Sequence, residues 1–348
     1  MDVALVPTAF SLPFLVLALP SGALGDIRDQ GSMLIAGQFA MTLAGAGLAL
    51  VAVTHVATPP LVLALMTGLG AGQALATPSW LALQRTLLPF DEIAPGAALD
   101  GVGGAVARAA GPAIGGLLVL LGGPSVAFLV NAALSLAVGV VLIRRCPRAP
   151  AATRTESIPA AIRAVTQYVR RTPVLRTVLI RGGVFSTFAG APWALLPQIA
   201  RHRLELGAAG YGALLGCAGL GAALAAAILP ALHGRFGTRR VLAGAFLVAA
   251  LGCADLGWTS GTVPAIGGLL LIGGAWVGVI ALLDATAQTT ISERMRARGL
   301  AVYETSLQGG VAVSGVVWGS VAAVGSARLA LSLVAIGLLV SRLAWIRQ

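Results

Sequence analysis

The chain has 348 residues, of which 57% are hydrophobic and only 10% are charged, and its formal net charge at pH 7 is +11. This apolar content exceeds that of a typical soluble domain. The basic residues are spread over many short segments instead of being collected on one soluble face, which argues against a nucleic-acid-binding protein. We therefore expect a membrane protein with no nucleic acid among its partners.

Eleven apolar segments follow one another along the chain. Each is about 20 to 25 residues long, the length that an α-helix needs to cross the roughly 30 Å hydrocarbon core of a bilayer. No stretch remains that could form a separate soluble domain. The sequence predicts an all-α polytopic membrane protein with transmembrane helices at residues 2–24, 33–53, 60–83, 97–121, 124–144, 174–198, 208–232, 239–258, 263–285, 299–323 and 326–346.

A polar break at residues 145–173 divides these segments into five and six. It contains prolines, many arginines and an amphipathic run from Ile158 to Arg171 that could lie along the membrane surface. We interpret the break as a cytoplasmic linker between an N-terminal half, residues 1–144, and a C-terminal half, residues 174–348.

The arginines indicate the orientation of the chain. If the first segment runs from outside to inside, 18 of the 23 basic residues lie in cytoplasmic connections or at the C-terminus, and the outer loops hold three. The positive-inside rule then places the N-terminus outside and the C-terminus in the cytoplasm. A plasma membrane location follows, with a bacterial cytoplasmic membrane as the expected one.

The two halves repeat each other. A shift of 204 residues places Gln84 on Gln288, Asp100 on Glu304, and the pair Gly111 and Gly115 on Gly315 and Gly319. The members of each pair run in the same direction, so this is a parallel repeat about an axis along the membrane normal. Two halves arranged in this way enclose a central cavity.

Short motifs along the whole chain carry a family resemblance. They are Leu19–Asp26 with Gly22 inside it, the spaced small residues Gly103, Ala107, Gly111, Pro112, Gly115 and Gly116, and the segments Phe128–Ala132, Trp193–Pro197 and Gly210–Gly212. On these residues the chain resembles the major facilitator superfamily. Within it, the chain is similar to the branch that includes the enterobactin exporter and related drug-efflux permeases.

The resemblance implies two differences from the family pattern. The family has twelve helices, and the first helix here matches the family's second, so we expect either translation from an upstream start or a truncated form. The motif that ends at Asp26 continues with Arg28 alone, where the family has several basic residues. By resemblance, Asp26 docks on the start of the helix near Gly299 and closes the cytoplasmic face.

Charged residues inside apolar segments need a reason, because each costs at least about 2.5 kcal/mol to insert. Arg108 either pairs structurally within the bundle or contacts an anionic group during transport. Asp284 either carries a coupling proton or acts as a gate or helix cap. Asp100 and Glu304, at equivalent repeat positions near helix starts, are expected to be capping or gate residues, with proton coupling as the alternative.

Neutral residues complete the candidate site. Gly111, Pro112, Gly115 and Gly116 form a bending and packing device, which either packs a neighbouring helix closely or seals the pathway. Four amide side chains either line the cavity or bridge helices: Gln84, Asn131, Gln288 and Gln308.

The leading hypothesis is a secondary active transporter, a proton-coupled exporter of small, partly hydrophobic compounds that works by alternating access. We expect no enzyme activity, no metal and no cofactor, and the partners are the bilayer, a small-molecule substrate and protons, with the chain a monomer. No nucleotide-binding loop occurs in the sequence. The alternatives are a truncated inactive transporter remnant and a polytopic membrane sensor or enzyme.

Overall fold

The computed structural model describes residues 5–25, 30–87, 92–145, 158–258, 261–292 and 295–346. Almost all of these residues are helical. The helices are α1 (Val6–Gly25), α2 (Gln30–Thr54), α3 (Pro59–Leu87), α4 (Ile93–Arg145), α5 (Ile158–Arg171), α6 (Pro173–Ala189), α7 (Ala191–His202), α8 (Ala208–Trp258), α9 (Thr262–Thr290), α10 (Arg296–Val324) and α11 (Ala327–Ile346).

Two of these helices each contain two predicted segments. The backbone leaves the helical region at Gly123 in α4 (φ 77°, ψ 178°) and at Gly237 in α8 (φ 73°, ψ 163°). Glycine suits these positions because it lacks the Cβ that penalises positive φ. An unbroken helix of 53 residues, the length of α4, would reach about 80 Å, more than twice the hydrocarbon core. The glycines therefore divide α4 and α8 into arms of membrane-spanning length.

The predicted segment 174–198 also has a break. A single residue, Gly190, separates α6 from α7, and its N–H donates to the carbonyl of Ser186 at 3.0 Å. Pro192 stands in the first turn of α7, where its missing N–H is not needed. Because Gly190 keeps near-helical angles (φ −74°, ψ −21°), α6 and α7 continue as one apolar span of 30 residues.

Eight helical segments in the described part of the chain are long and apolar enough to cross a membrane. One of them, Gly210–Trp258, has 49 residues and contains the break at Gly237. The all-helical, multi-pass prediction is thus confirmed. The count of eleven crossings and the split into five and six stay predictions.

Helix pairing connects the part of the chain before α5 with the part after it. α1 packs along α10, and α4 packs along α8, whereas the other extensive contacts lie on one side of α5 or the other. These two pairs are the junction on which any relative movement of the two parts depends.

The predicted repeat reappears in the helix boundaries. Shifted by 204 residues, α3 covers residues 263–291, and the observed α9 covers Thr262–Thr290. The same shift places the start of α4 at residue 297, next to the observed start of α10 at Arg296. It also matches α1 with the first arm of α8. Since α4 is matched with α10, the α1–α10 contact and the α8–α4 contact are equivalent under the repeat. This correspondence supports a parallel repeat.

The amphipathic run of the predicted linker forms α5. Val165 is buried, and the Tyr168 hydroxyl accepts a hydrogen bond from the Ser292 N–H at 3.0 Å and donates to the Thr290 carbonyl at 3.4 Å. The bond from Ser292 lowers the pKa of Tyr168, because an N–H donor favours the phenolate. The linker helix is therefore fastened to the connection between α9 and α10.

Candidate transport site at the contact between α1 and α10

Two hydroxyl side chains connect α1 to α10. Thr8 donates to the carbonyl of Ala312 at 2.9 Å, and Ser11 donates to Oε1 of Gln308 at 3.1 Å. Residues three apart lie on one face of a helix, so both hydroxyls point the same way. As α1 advances from Thr8 to Ser11, its partner on α10 steps back by four residues. The two helices therefore run in opposite directions, as the predicted topology requires.

A carboxylate extends this contact along α10. Nε2 of Gln308 donates to Oε1 of Glu304 at 3.0 Å, one helical turn away. The Gln308 amide thus accepts from Ser11 at its oxygen and donates to Glu304 at its nitrogen, which fixes its orientation. Ser11 is fully buried, while Gln308 and Glu304 are half-buried. The result is a hydrogen-bonded chain that crosses the junction and ends at an acidic group.

Apolar packing holds α1 in this position. Phe14 is buried beside Phe10, with ring centroids 6.2 Å apart. A Cβ on Gly70 of α3 would overlap the carbonyl of Phe10, so α3 touches the backbone of α1 directly. Toward α10, the Leu15 side chain lies 2.8 Å from the position of a Cβ on Gly309. The hydrogen-bonded chain consequently has an apolar environment in which its bonds are strengthened.

The opposite face of α10 bonds to α6. The Ser306 hydroxyl donates to the carbonyl of Leu179 at 2.7 Å, and Nε1 of Trp318 donates to the carbonyl of Thr187 at 2.7 Å. Both side chains on α10 donate their hydrogen bonds to carbonyls of α6 instead of to carbonyls of their own helix. Hydrogen bonds of this kind join helices in an apolar medium.

Small residues bring α6 and α10 close together between these two bonds. A Cβ on Gly310 would lie 2.5 Å from the carbonyl oxygen of Gly183 and 2.8 Å from Cβ of Ser186. Only glycine fits at such a distance. α10 is therefore locked against α6 on one face and hydrogen-bonded to α1 on the other.

The predicted site residues with described side chains lie on several helices. Asp284 is half-buried and Gln288 is exposed, and both lie on α9, which packs mainly against α8. Asn131 is exposed on the second arm of α4, with its amide nitrogen 3.3 Å from the position of a Cβ on Gly45 of α2. Of the predicted residues, Glu304 and Gln308 are the two that the described contacts bring together.

Several predicted residues fall outside what the structure describes. Asp26 and Arg28 lie in an undescribed connection, and the backbone of Gly22 belongs to α1. Five further residues have a described helical backbone, but their side chains are outside the described set: Gln84, Asp100, Arg108, Pro112 and Gly116. Their proposed roles stay predictions.

The glycine face of α4 differs from the expectation of close packing. Around Gly111 and Gly115, no heavy atom in the described part of the chain lies within 4 Å of the position of a Cβ, and the same holds for Gly103. No residue in the described part of the chain therefore makes the expected close approach at these positions. As far as the described residues go, the face is open in this conformation.

Thr8 and Ser11 were not predicted as site residues. The sequence did offer a signal for them, since they are hydroxyl residues spaced by three in the middle of the predominantly apolar first segment. A helical segment with polar groups on one face indicates contact with another polar helix.

The family match extends over the whole chain. A family model described as "Transmembrane secretion effector" matches residues 1–348. No curated protein sequence matches the chain significantly.

Solved structures share its fold at low sequence identity. A POT family transporter in complex with 5-aminolevulinic acid has a TM-score of 0.75 and 12% identity, over 100% of this chain and 88% of that one. The nucleoside transporter NupG has a TM-score of 0.67 and 14% identity, over 99% and 89% of the two chains. The E. coli fucose:proton symporter FucP has a TM-score of 0.61 and 16% identity, over 99% and 90%. These likenesses concern the fold alone.

Proposed function

The chain belongs to the transmembrane secretion effector family of the major facilitator superfamily, so it is a multi-pass membrane transporter of small molecules and not an enzyme. From this starting point, we propose that it is a proton-driven exporter. Its substrates are small, partly hydrophobic compounds, in keeping with the motif resemblance to efflux permeases, and the direction of transport agrees with the family description as a secretion effector. It works as a monomer in a bacterial cytoplasmic membrane, with an outer N-terminus and a cytoplasmic C-terminus.

The observation that carries this proposal is the bonded chain from Ser11 through Gln308 to Glu304. It joins α1, in residues 1–144, to α10, in residues 174–348, which we propose as the two halves that rock against each other. Separation at this contact removes Ser11 from Gln308 and changes the access of water to Glu304. A carboxylate that alternates between apolar and aqueous surroundings takes up and releases a proton.

Asp284 is the second candidate for proton coupling. It lies on α9, six residues before the end of the helix at Thr290. α9 packs against helices of its own half, so movement at the α1–α10 contact changes its surroundings less directly. Asp100, the repeat equivalent of Glu304, is the corresponding candidate on α4. We place Glu304 first because Gln308, its hydrogen-bond partner, also accepts the bond from Ser11 that crosses the proposed junction.

The open glycine face of α4 supports alternating access. α4 and α8 form the second contact between the halves, and Gly111 and Gly115 leave room for a helix to approach. In the proposed cycle, this face closes in the opposite conformation and seals the pathway, and the bend expected at Pro112 sets its direction. Arg108, one turn before Gly111, contacts an anionic group of the substrate or exchanges carboxylate partners during this step.

Everted membrane vesicles provide the test. After respiration establishes a proton gradient, lipophilic dyes such as ethidium are tested for gradient-dependent uptake, and a pH-sensitive dye reports proton release. Glu304→Gln is expected to abolish uphill uptake while downhill exchange of the same dye continues. The glutamine amide keeps the shape of the side chain but cannot take up or release a coupling proton. Glu205→Gln, at an exposed carboxylate in a loop, is the matched control and should behave like the wild type.

Two results would contradict the proposal. Normal uphill transport by Glu304→Gln would exclude this residue as the coupling group. Loss of uphill transport in the parallel variant Asp284→Asn would then identify Asp284 as the coupling group, and normal transport would exclude it too. Dye uptake that persists when the proton gradient is collapsed would exclude proton coupling as a whole.

A further inference from the structure

A cleft of about 560 Å³ opens between the two arms of α8 and the middle of α9. Its walls include Leu224, Ile228, Phe236 and Leu271, and Arg240 is the one charged residue among its described lining residues. Among the described residues, none of α1, α4, α6 or α10 lines it. The cleft is therefore separate from the α1–α10 contact that carries the proposed transport function.

The apolar walls of this cleft face outward. Leu224 is 64% exposed, Ile228 54%, Phe236 44% and Leu271 40%. For a multi-pass membrane protein, an outward apolar surface at membrane depth meets acyl chains and not water. The cleft is thus a groove that the hydrocarbon of a lipid can enter from the side.

The end of the cleft near Gly237 is basic. Arg240 lines it, and the guanidinium carbon of Arg235 lies 5.4 Å from the ring centroid of Phe236, another lining residue. The arginine distribution predicts that this turn faces the cytoplasm. A groove that is apolar along its length and cationic at its membrane surface has the charge pattern of a site for an anionic amphiphile.

The dimensions fit a single lipid chain. Along the first arm of α8 the lining runs from Gly221 to Phe236, which is about 22 Å of helix at a rise of about 1.5 Å per residue. One leaflet contributes about half of the roughly 30 Å hydrocarbon core. The cleft therefore covers the depth of one leaflet, with Arg240 at the level of the headgroups.

We propose that this cleft binds an anionic glycerophospholipid of the cytoplasmic leaflet, with one acyl chain between α8 and α9 and the headgroup phosphate at Arg240. The guanidinium donates paired hydrogen bonds to the phosphate oxygens. A net-neutral lipid gains less here, because its own cationic group competes with the arginine for the phosphate.

Two pairs of variants test the charge and the apolar groove separately. Arg240→Gln removes the charge and keeps the groove, and its control Arg170→Gln removes an exposed arginine at the end of α5 that does not line the cleft. Gly244→Leu fills the groove, because no described heavy atom lies within 4 Å of a Cβ at Gly244. Gly234→Leu is its control, since Gly234 is equally open but is not a lining residue.

Each protein is purified in detergent, shown to be monodisperse with an unchanged helical spectrum, and incubated with equal amounts of phosphatidylglycerol and phosphatidylcholine. Native mass spectrometry then counts the lipids that stay bound. We expect the wild type to prefer phosphatidylglycerol by about fivefold, the effect of one basic residue near an anionic surface. Arg240→Gln should lose this preference, and Gly244→Leu should lose retention of both lipids, while the two controls keep the wild-type pattern.

Equal retention of the two lipids by the wild type would overturn the proposal, as would an unchanged preference in Arg240→Gln. Displacement of the bound lipid by a transported dye, with no preference for phosphatidylglycerol, would assign the cleft to the substrate instead. A Gly244→Leu protein that fails to fold leaves the decision to the Arg240→Gln pair, whose charge readout does not depend on filling the groove.

Discussion

The close contact between α6 and α10 predicts opposite effects for two chemically identical substitutions. In Gly310→Ala, the added methyl group would lie 2.5 Å from the carbonyl oxygen of Gly183 and 2.8 Å from Cβ of Ser186. Backbone and Cβ atoms cannot turn away as a side-chain terminus can, so the two helices must separate. In Gly111→Ala, the methyl group meets no described heavy atom within 4 Å.

The free-energy changes follow from these distances. Alanine favours a helix over glycine by about 1 kcal/mol at either position. At Gly310, overpacking costs about 1–3 kcal/mol. Helix separation also stretches the bonds from Ser306 and Trp318, each worth about 1 kcal/mol. Gly310→Ala should therefore lower the free energy of unfolding by about 2–4 kcal/mol, and Gly111→Ala should raise it by up to about 1 kcal/mol.

Denaturation by SDS, followed by circular dichroism in mixed micelles, measures both changes. Wild-type stability or better in Gly310→Ala would refute the close contact between α6 and α10. Transport by Gly111→Ala adds a second readout. If α4 seals the pathway through this face, the stable variant transports slowly, because the new methyl group blocks closure. A variant that is both stable and fully active would show that the glycine face takes no part in the cycle.

Two further predictions rest on the sequence. Arg108→Ala and Arg108→Lys should both insert and purify normally but lose transport, because alanine removes the charge and lysine keeps it without the planar guanidinium fork. Normal transport by Arg108→Ala would exclude a functional role for Arg108. Loss of folded protein would favour a structural pair. Reporter fusions should place residues 145–172 in the cytoplasm and residues 54–59 outside; cleavage of the 145–172 segment by protease added to intact cells would reverse the predicted orientation.

The helices were predictable from the sequence because an apolar segment of membrane-spanning length has few other structures open to it. α3 and α9 lie close to the predicted segments 60–83 and 263–285. The repeat was visible for the same reason, since matched segments must keep matched lengths. The short interruption at Gly190 was not predicted, because a residue with near-helical angles leaves the hydrophobic pattern unbroken.

The site was only partly predictable. Glu304 and Gln308 stood out because polar residues are costly in apolar helices. Their connection to Ser11, 297 residues away from Gln308, was not foreseen, since hydrophobic periodicity does not indicate which helices become neighbours. Close packing at Gly111 was one of two expectations, and none of the described residues lies near a Cβ at that position. Small residues permit close packing, but the conformation decides whether a neighbour is there.

In the proposed cycle, the two faces of α10 determine where the halves slide. Gln308 and Gly310 are two residues apart, so they point to nearly opposite sides of the helix, toward α1 and α6 respectively. Interlocked backbones on the α6 side resist translation, whereas a hydroxyl on the α1 side can exchange one acceptor for the next. A ratchet of α1 by one helical turn, about 5.4 Å, brings Ser11 level with Glu304 instead of Gln308. The carboxylate would then gain a hydroxyl neighbour while the Gln308 amide stays beside it on the same helix, so proton affinity and helix register would change together.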